Sequence, residues 1–283
     1  MGAYHRPRLL GEALGHLAAG PLTVVAGGTD HYPARVGPHP DEDLLDISGL
    51  DELRGIRDAG SHWRIGALTT WTGIAEADLP SVFDGLRAAA CEVGGAQIQN
   101  RGTVGGNLCN ASPAADGIPP LLALDARVEL SGPDGVRAMP LAGFVTGNRR
   151  TQRRPDQLLT AILVPKPARP AQSAFLKLGA RRYLVISIVM ASAVLERAAD
   201  GTVAAARVAV GACSAVAQRL PALEAALVGR PVAPGLGAAS IPAHLAPLAP
   251  IDDVRGSADY RMDAAMTVVR RVLDRAAVEG RGA

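Results

Sequence analysis

The chain has only three cysteines, Cys91, Cys109 and Cys213, far apart in 283 residues. No CxxC pair exists, so neither a thiolate zinc site nor an iron–sulfur cluster can be built from this chain alone. The six His are equally scattered, without HxH or HExxH spacing, and no metal site is expected. Aromatics are scarce: two Trp, four Tyr and three Phe are too few for a base-stacking platform. An excess of one charge is also missing. The 29 basic and 27 acidic residues leave +2, so no global field favours nucleic acid. Lysine occurs only at Lys166 and Lys177. The longest apolar run, Tyr183–Leu195, is 13 residues, contains Ser187 and Ser192, and is too short for a bilayer. Met1–Leu10 has no apolar signal core. The expectation is a reduced, cytoplasmic protein with neither a membrane nor a nucleic-acid partner.

What is present is the composition of a globular protein, 48% hydrophobic and 20% charged, long enough for two domains. Leu9–Ala19 reads as an amphipathic helix stopped by Gly20-Pro21. Thr23–Ala26 and Leu44–Ile47 are short apolar strands. Ile56–Ala67 reads as a hairpin turning at Asp58-Ala59-Gly60-Ser61. Ser81 is an expected N-cap for a helix with Val82, Leu86, Ala89, Ala90 and Val93 on one face. Gly94–Asp116 holds five glycines and little periodicity, and reads as one long loop. A short helix (Pro119–Leu124), a hairpin turning at Gly132-Pro133-Asp134-Gly135 and a strand (Leu158–Val164) follow. Three prolines in Pro165–Pro170 mark a linker. Beyond it, Ala174–Leu178, Leu184–Leu195 and Val203–Ala212 are strand-like, whereas Leu220–Val228 and Ala258–Val278 are helical, the last capped by Ser257. That is an α+β module.

Two loops carry chemistry. Val24-Val25-Ala26-Gly27-Gly28-Thr29-Asp30 is a buried strand ending in two glycines, a hydroxyl and a carboxylate. Glycine permits a sharp turn and close approach, and successive N–H groups form a concave anion site suited to a pyrophosphate. A capped tight turn is the plainer alternative. The run from Gln97 to Asp116 contains Asn100-Arg101-Gly102-Thr103-Val104-Gly105-Gly106-Asn107-Leu108-Cys109-Asn110-Ala111-Ser112-Pro113-Ala114-Ala115-Asp116. Its paired glycines can wrap a ligand, Thr103, Asn107 and Ser112 offer hydrogen bonds, and Asp116 can accept from a ribose or ribityl hydroxyl. A surface loop would not require so many small residues in succession.

These two loops, AGGTD and NRGTVGGNLCNASPAAD, resemble the FAD-binding loops of the flavoprotein (medium) subunits of molybdenum hydroxylases, the family of xanthine dehydrogenase and carbon monoxide dehydrogenase. Ala174–Arg182 resembles that family's Phe-x-Lys-x-x-x-Arg strand, and the likeness runs from Leu9 to Val278. It implies an α+β fold: a two-lobed FAD-binding domain of the vanillyl-alcohol-oxidase (PCMH) type over 1–168, with lobes of about 1–55 and 56–168, then a small α+β C-terminal domain over 171–280. It implies that Val24, Val25, Ala26, Gly27, Gly28, Thr29, Asp30 and His31 wrap the FAD pyrophosphate. Thr103, Gly106, Asn107, Ala115 and Asp116 then serve the diphosphate, ribose and ribityl regions, with Cys109, Leu159 and Lys177 near the ring. His31 and Cys109 depart from the family's usual aliphatic residues. A cation at Lys177 would stabilise reduced flavin, the alternative being a solvated surface Lys.

The resemblance implies an electron-transfer subunit that takes no catalytic acid–base residue of its own. Molybdopterin and [2Fe–2S] clusters are expected only in a large and a small partner subunit, and NAD⁺, dioxygen or a quinone as acceptor. Its rival is a self-contained NAD(P)H-dependent flavin reductase of the same fold, which needs a Ser and a Glu aimed at the flavin as proton donors. A binding module that has lost flavin is disfavoured by the intact glycine pairs.

Overall fold

The computed structural model describes residues 2–35 and 41–278. Residues 279 and 280, the expected end of the second domain, lie outside them.

The first lobe starts with β1 (Tyr4–His5) and α1 (Leu10–Ala19). Leu10, Ala13, Leu14 and Leu17 give α1 its apolar face, and the Glu12 carboxylate accepts from the backbone N–H of Arg8 and Leu9. β2 (Thr23–Val25) and β3 (Leu44–Asp46) complete a three-stranded parallel sheet in the order β1-β3-β2. Leu45, Leu50 and Leu53 bury its core.

The second lobe begins with the expected hairpin, β4 (Ile56–Asp58) and β5 (His62–Gly66). A helical layer follows: α2 (Trp71–Ala75), α3 (Asp84–Glu92), α4 (Ala96–Gln99), α5 (Val104–Asn110) and α6 (Ile118–Ala123). Ser81 does not cap α3; its hydroxyl donates to Ala171 O, and a 3₁₀ turn over Ser81–Phe83 leads into the helix. The hairpin β6 (Arg127–Gly132) and β7 (Gly135–Pro140) comes next, then α7 (Leu141–Phe144) and a small ribbon, β8 (Val145–Gly147) with β9 (Arg150–Thr151). β10 (Leu158–Pro165) closes an antiparallel sheet in the order β4-β5-β10-β6-β7. A bulge between Leu159 and Ala161 breaks its register with β6.

After the prolines, β11 (Ala171–Leu178), β12 (Val189–Arg197), β13 (Val203–Gly211) and β14 (Gln218–Arg219) make a four-stranded antiparallel sheet. The expected strand from Leu184 starts only at Val189; Gly179–Ile188 crosses irregularly between β11 and β12. α8 (Pro221–Leu227) and α9 (Ala258–Val278) cover the sheet. Ser257 caps α9 as expected, its hydroxyl oxygen accepting the Tyr260 N–H. β12 is buried on both faces, with α9 on one side and α6 on the other. Ala171, Val194 and Ala209 from this sheet join the same core as α3, α6 and the second-lobe sheet.

Candidate functional site

A cleft of about 1270 Å³ opens where the three parts meet. That exceeds the roughly 300–1,000 Å³ usual for a drug-sized ligand and suits an elongated one. The first lobe lines it with residues 22–31, Ala34 and Arg35, the second with Ile98, α5, the segment 112–116, the β8–β9 ribbon, Leu158 and Leu159, and the third with residues 184–186. Of the sixteen residues that the sequence nominates, all but Lys177 line it.

Glycine sets the geometry. Gly28 turns at φ +71, in the left-handed region. A Cβ on Gly27 would stand 2.0 Å from Arg101 O, so the turn after β2 lies directly on the turn before α5. The long loop of the sequence reading is in fact two helical turns with a connector. Thr103 is the N-cap of α5, its Oγ1 accepting the Gly106 N–H at 3.1 Å. Gly105 packs on Ala67, where an added Cβ would lie 2.7 Å from both Cβ and O. At Gly106 an added Cβ would meet only Thr103 Oγ1. Gly105 therefore packs on backbone that cannot yield, while a Cβ at Gly106 would meet a single hydroxyl, the Thr103 cap, at 2.8 Å. Helix α5 ends at Ala111 in the left-handed conformation, φ 49.

Asn107 Oδ1 is buried in this wall and accepts no hydrogen bond. An orphaned amide oxygen of that kind is costly unless a ligand or water completes it. Asp116, beside it, is buried and doubly held: Lys177 Nζ lies 2.7 Å from Oδ2 and the Ser187 hydroxyl donates to Oδ1 at 2.6 Å. Burial pushes the Asp116 carboxyl up, against the opposing pull of the Lys177 ammonium and the two hydrogen bonds. Lys177 is thus neither a surface Lys nor part of the cleft lining; its ammonium stands behind Asp116 and also donates to Glu92 O. The cations that do line the cleft are Arg35, Arg149, Arg150 and Arg153. Four Arg in residues 149–154 were the signal in the sequence that could have found three of them.

Asp30 pairs with Arg149 at 3.1 Å, which ties the first-lobe loop to the β8–β9 ribbon. His31 is depressed by burial and by Arg35, with Glu42 opposing from 3.7 Å. Burial raises the Cys109 thiol, which suits a space-filling wall residue. Trp71, which reads from sequence as ordinary packing, is fully buried and floors the cleft; Gly117 is needed beside it, because a Cβ there would sit 2.3 Å from its ring. Val185, Ile186 and Ser187 carry no sequence motif, and only the fold brings them here.

Residues 1–167 match the family model described as the FAD binding domain in molybdopterin dehydrogenase, and residues 174–276 match the CO dehydrogenase flavoprotein C-terminal domain. The chain belongs to the molybdopterin dehydrogenase FAD-subunit family. It is 32% identical, over 99% of its length and 97% of the relative's, to a putative xanthine dehydrogenase FAD-binding subunit of Escherichia coli K12. It is 31% identical to the carbon monoxide dehydrogenase medium chain of Hydrogenophaga pseudoflava, covering 96% of each. A solved carbon monoxide dehydrogenase from H. pseudoflava superposes with a TM-score of 0.86 at 32% identity, over 97% of this chain and 96% of that one. Quinoline 2-oxidoreductase from Pseudomonas putida 86 gives 0.87 at 28%, covering 98% and 97%. This FAD subunit thus has the family's two-domain α+β fold and is an FAD-dependent oxidoreductase subunit. Its cleft fits the cofactor on its own terms: two glycine turns in contact, Gly106 lining the cleft without a side chain, and an unfilled acceptor at Asn107. Among the described residues no helix is long and apolar enough to cross a membrane.

Proposed function

We propose that the chain is the electron-transfer subunit of a multi-subunit molybdenum hydroxylase. Electrons from iron–sulfur clusters in a small partner subunit reach FAD here and leave to NAD⁺, dioxygen or a quinone. A large molybdopterin subunit oxidises the organic substrate. FAD supplies the exchange between single electrons and electron pairs that such a junction needs.

The observation that carries this reading is the joint cleft, in which both glycine-rich turns touch one another and face an open, partly cationic space. In it Gly27–Asp30 and Thr103–Asn107 hold the phosphates, Asp116 orients the sugar-alcohol chain, and Cys109 and Leu159 exclude water beside the ring. The test is to co-express the chain with its candidate partners and record absorption spectra of the complex and of the isolated chain. One FAD per chain in a complex containing molybdopterin and iron–sulfur chromophores is the expected result. A colourless complex that takes up no added FAD rejects the reading.

A further inference from the structure

Two features of the cleft wall are held from a distance. The Ser112–Asp116 segment is anchored to the C-terminal sheet at two points. Ser187 Oγ donates to Asp116 Oδ1, and the Ala212 N–H donates to Pro113 O at 2.9 Å. Ser187 begins the approach to β12, and Ala212 follows the end of β13. Both anchors are then gripped by one cluster at the start of α9, centred on the buried Arg261. Arg261, 1% exposed, uses a single nitrogen, Nη1, to donate to Ile188 O and Ala212 O, each at 3.0 Å. Its Nη2 donates to Asp253 Oδ1 at 2.5 Å. Asp253 Oδ2 accepts from Arg255 Nη2 at 2.6 Å, and Arg255 Nη1 donates to Ser187 O at 2.9 Å. Along the branch through Arg255 and Ser187, every link from Asp253 to Asp116 is a hydrogen bond or a single residue, and the Ala212 branch reaches the same segment at Pro113.

We infer that Asp253, through Arg255 and Arg261, is a positioning residue for the FAD cleft: it fixes the backbone at Ser187 and Ala212, and so aims Asp116 at the bound cofactor. The physical argument is one of cost. A guanidinium as buried as Arg261 persists only with its charge paired and its donors used. Here its donors go to Ala212 O, on one anchor residue, and to Ile188 O, next to the other. A purely local brace would need neither Ser187 nor Ala212. The inference uses the FAD reading for its binding assay but not for the exchange measurement below.

The test uses the full chain and three variants, Asp253→Asn, Ser187→Ala and the double. FAD dissociation constants are measured by flavin fluorescence. Amide hydrogen exchange is followed over residues 112–116 without cofactor. Each single variant is expected to weaken FAD about tenfold, the scale of one lost charge-assisted hydrogen bond. The double is expected to be no weaker than the worse single, because both changes break one chain of contacts. Exchange over 112–116 should rise in Asp253→Asn before cofactor is added. Additive losses in the double, or unchanged exchange, overturn the inference. Should Asp253→Asn fail to fold, Arg255→Gln serves instead, since that partly exposed side chain bonds Asp253 and Ser187 O and no other side chain among the described residues. A wild-type chain that binds no FAD outside the complex moves the binding assay to the co-expressed complex, whose own failure to take up FAD rejects the functional reading, and the exchange result decides the clamp in either case.

Discussion

Gly105 and Gly106 are neighbours with different duties, and substitution separates them. Alanine at Gly105 drives a methyl into Ala67 backbone and side chain, neither of which can swing aside. Gly105→Ala is expected to destabilise the cofactor-free chain by about 1–3 kcal/mol, as overpacking does, measured by urea unfolding. Gly106→Ala displaces only the Thr103 hydroxyl, so it should cost less in the urea midpoint than Gly105→Ala while still lowering FAD content. The sequence marks both as a pair and cannot divide them, because the difference lies in what each one faces. The cysteines offer a second test at this scale. Cys91 is exposed, Cys109 sits in the cleft wall, and burial pushes the Cys213 thiol up to about 11. A thiol reagent should label Cys91 at once and Cys213 only on unfolding. Cys109 should react slowly, and added FAD should protect it.

Among the elements, the strands and long helices were legible because their periods are long enough to read. The hairpin at Asp58–Ser61 and helix α9 appear where alternation and the Ala265, Val269, Val272, Leu273 stripe put them. Helix α5 was not legible. Seven residues with two glycines give no periodic signal, and its Thr103 cap is a hydroxyl that reads equally as a ligand group. The irregular passage before β12 was missed for the opposite reason. Tyr183–Ile186 is apolar, yet Tyr183, Leu184 and Ile186 are exposed, and the backbone at Leu184 is left-handed. Within the α9 cluster, Arg255 hydrogen bonds, helped by its backbone N–H and Arg261, hold the Asp253 carboxyl well below the ordinary carboxylate range near 4. A carboxyl depressed by folding stabilises above its unfolded value, and that stabilisation fades as pH falls toward the folded one. Thermal unfolding should therefore show a steeper loss of Tm below about pH 4 in wild type than in Asp253→Asn. Parallel curves would mean that the pair contributes nothing to acid lability.

The two sequence modules do not behave as two independent bodies. The linker prolines are visible in the sequence, but the core shared across them is not, because Ala171, Val194 and Ala209 look like residues of one sheet. Buried polar ties reinforce the seam: Ser173 accepts from the Gly85 N–H and donates to Val82 O, and Arg207 donates to Ala123 O. A protease site placed between Lys166 and Arg169 should be cut readily, and the two pieces should still elute together on gel filtration until denaturant is added. Early separation would contradict a common core.

The Asp116–Lys177 pair also bears on how the protein is made. Asp116 is a buried carboxylate whose cation arrives only with β11, and whose second partner, Ser187, arrives later still. Chains emerge from the ribosome N-terminus first at about 5–20 residues per second. For several seconds the first two lobes exist with this wall unfinished, its carboxylate without Lys177 and Ser187 and the cleft without the lining residues Val185 and Ile186. The wall of the cleft is thus completed by the later part of the chain: the glycine turns are made first, and Asp116 gains both partners only once residue 187 has been made and the C-terminal sheet has docked.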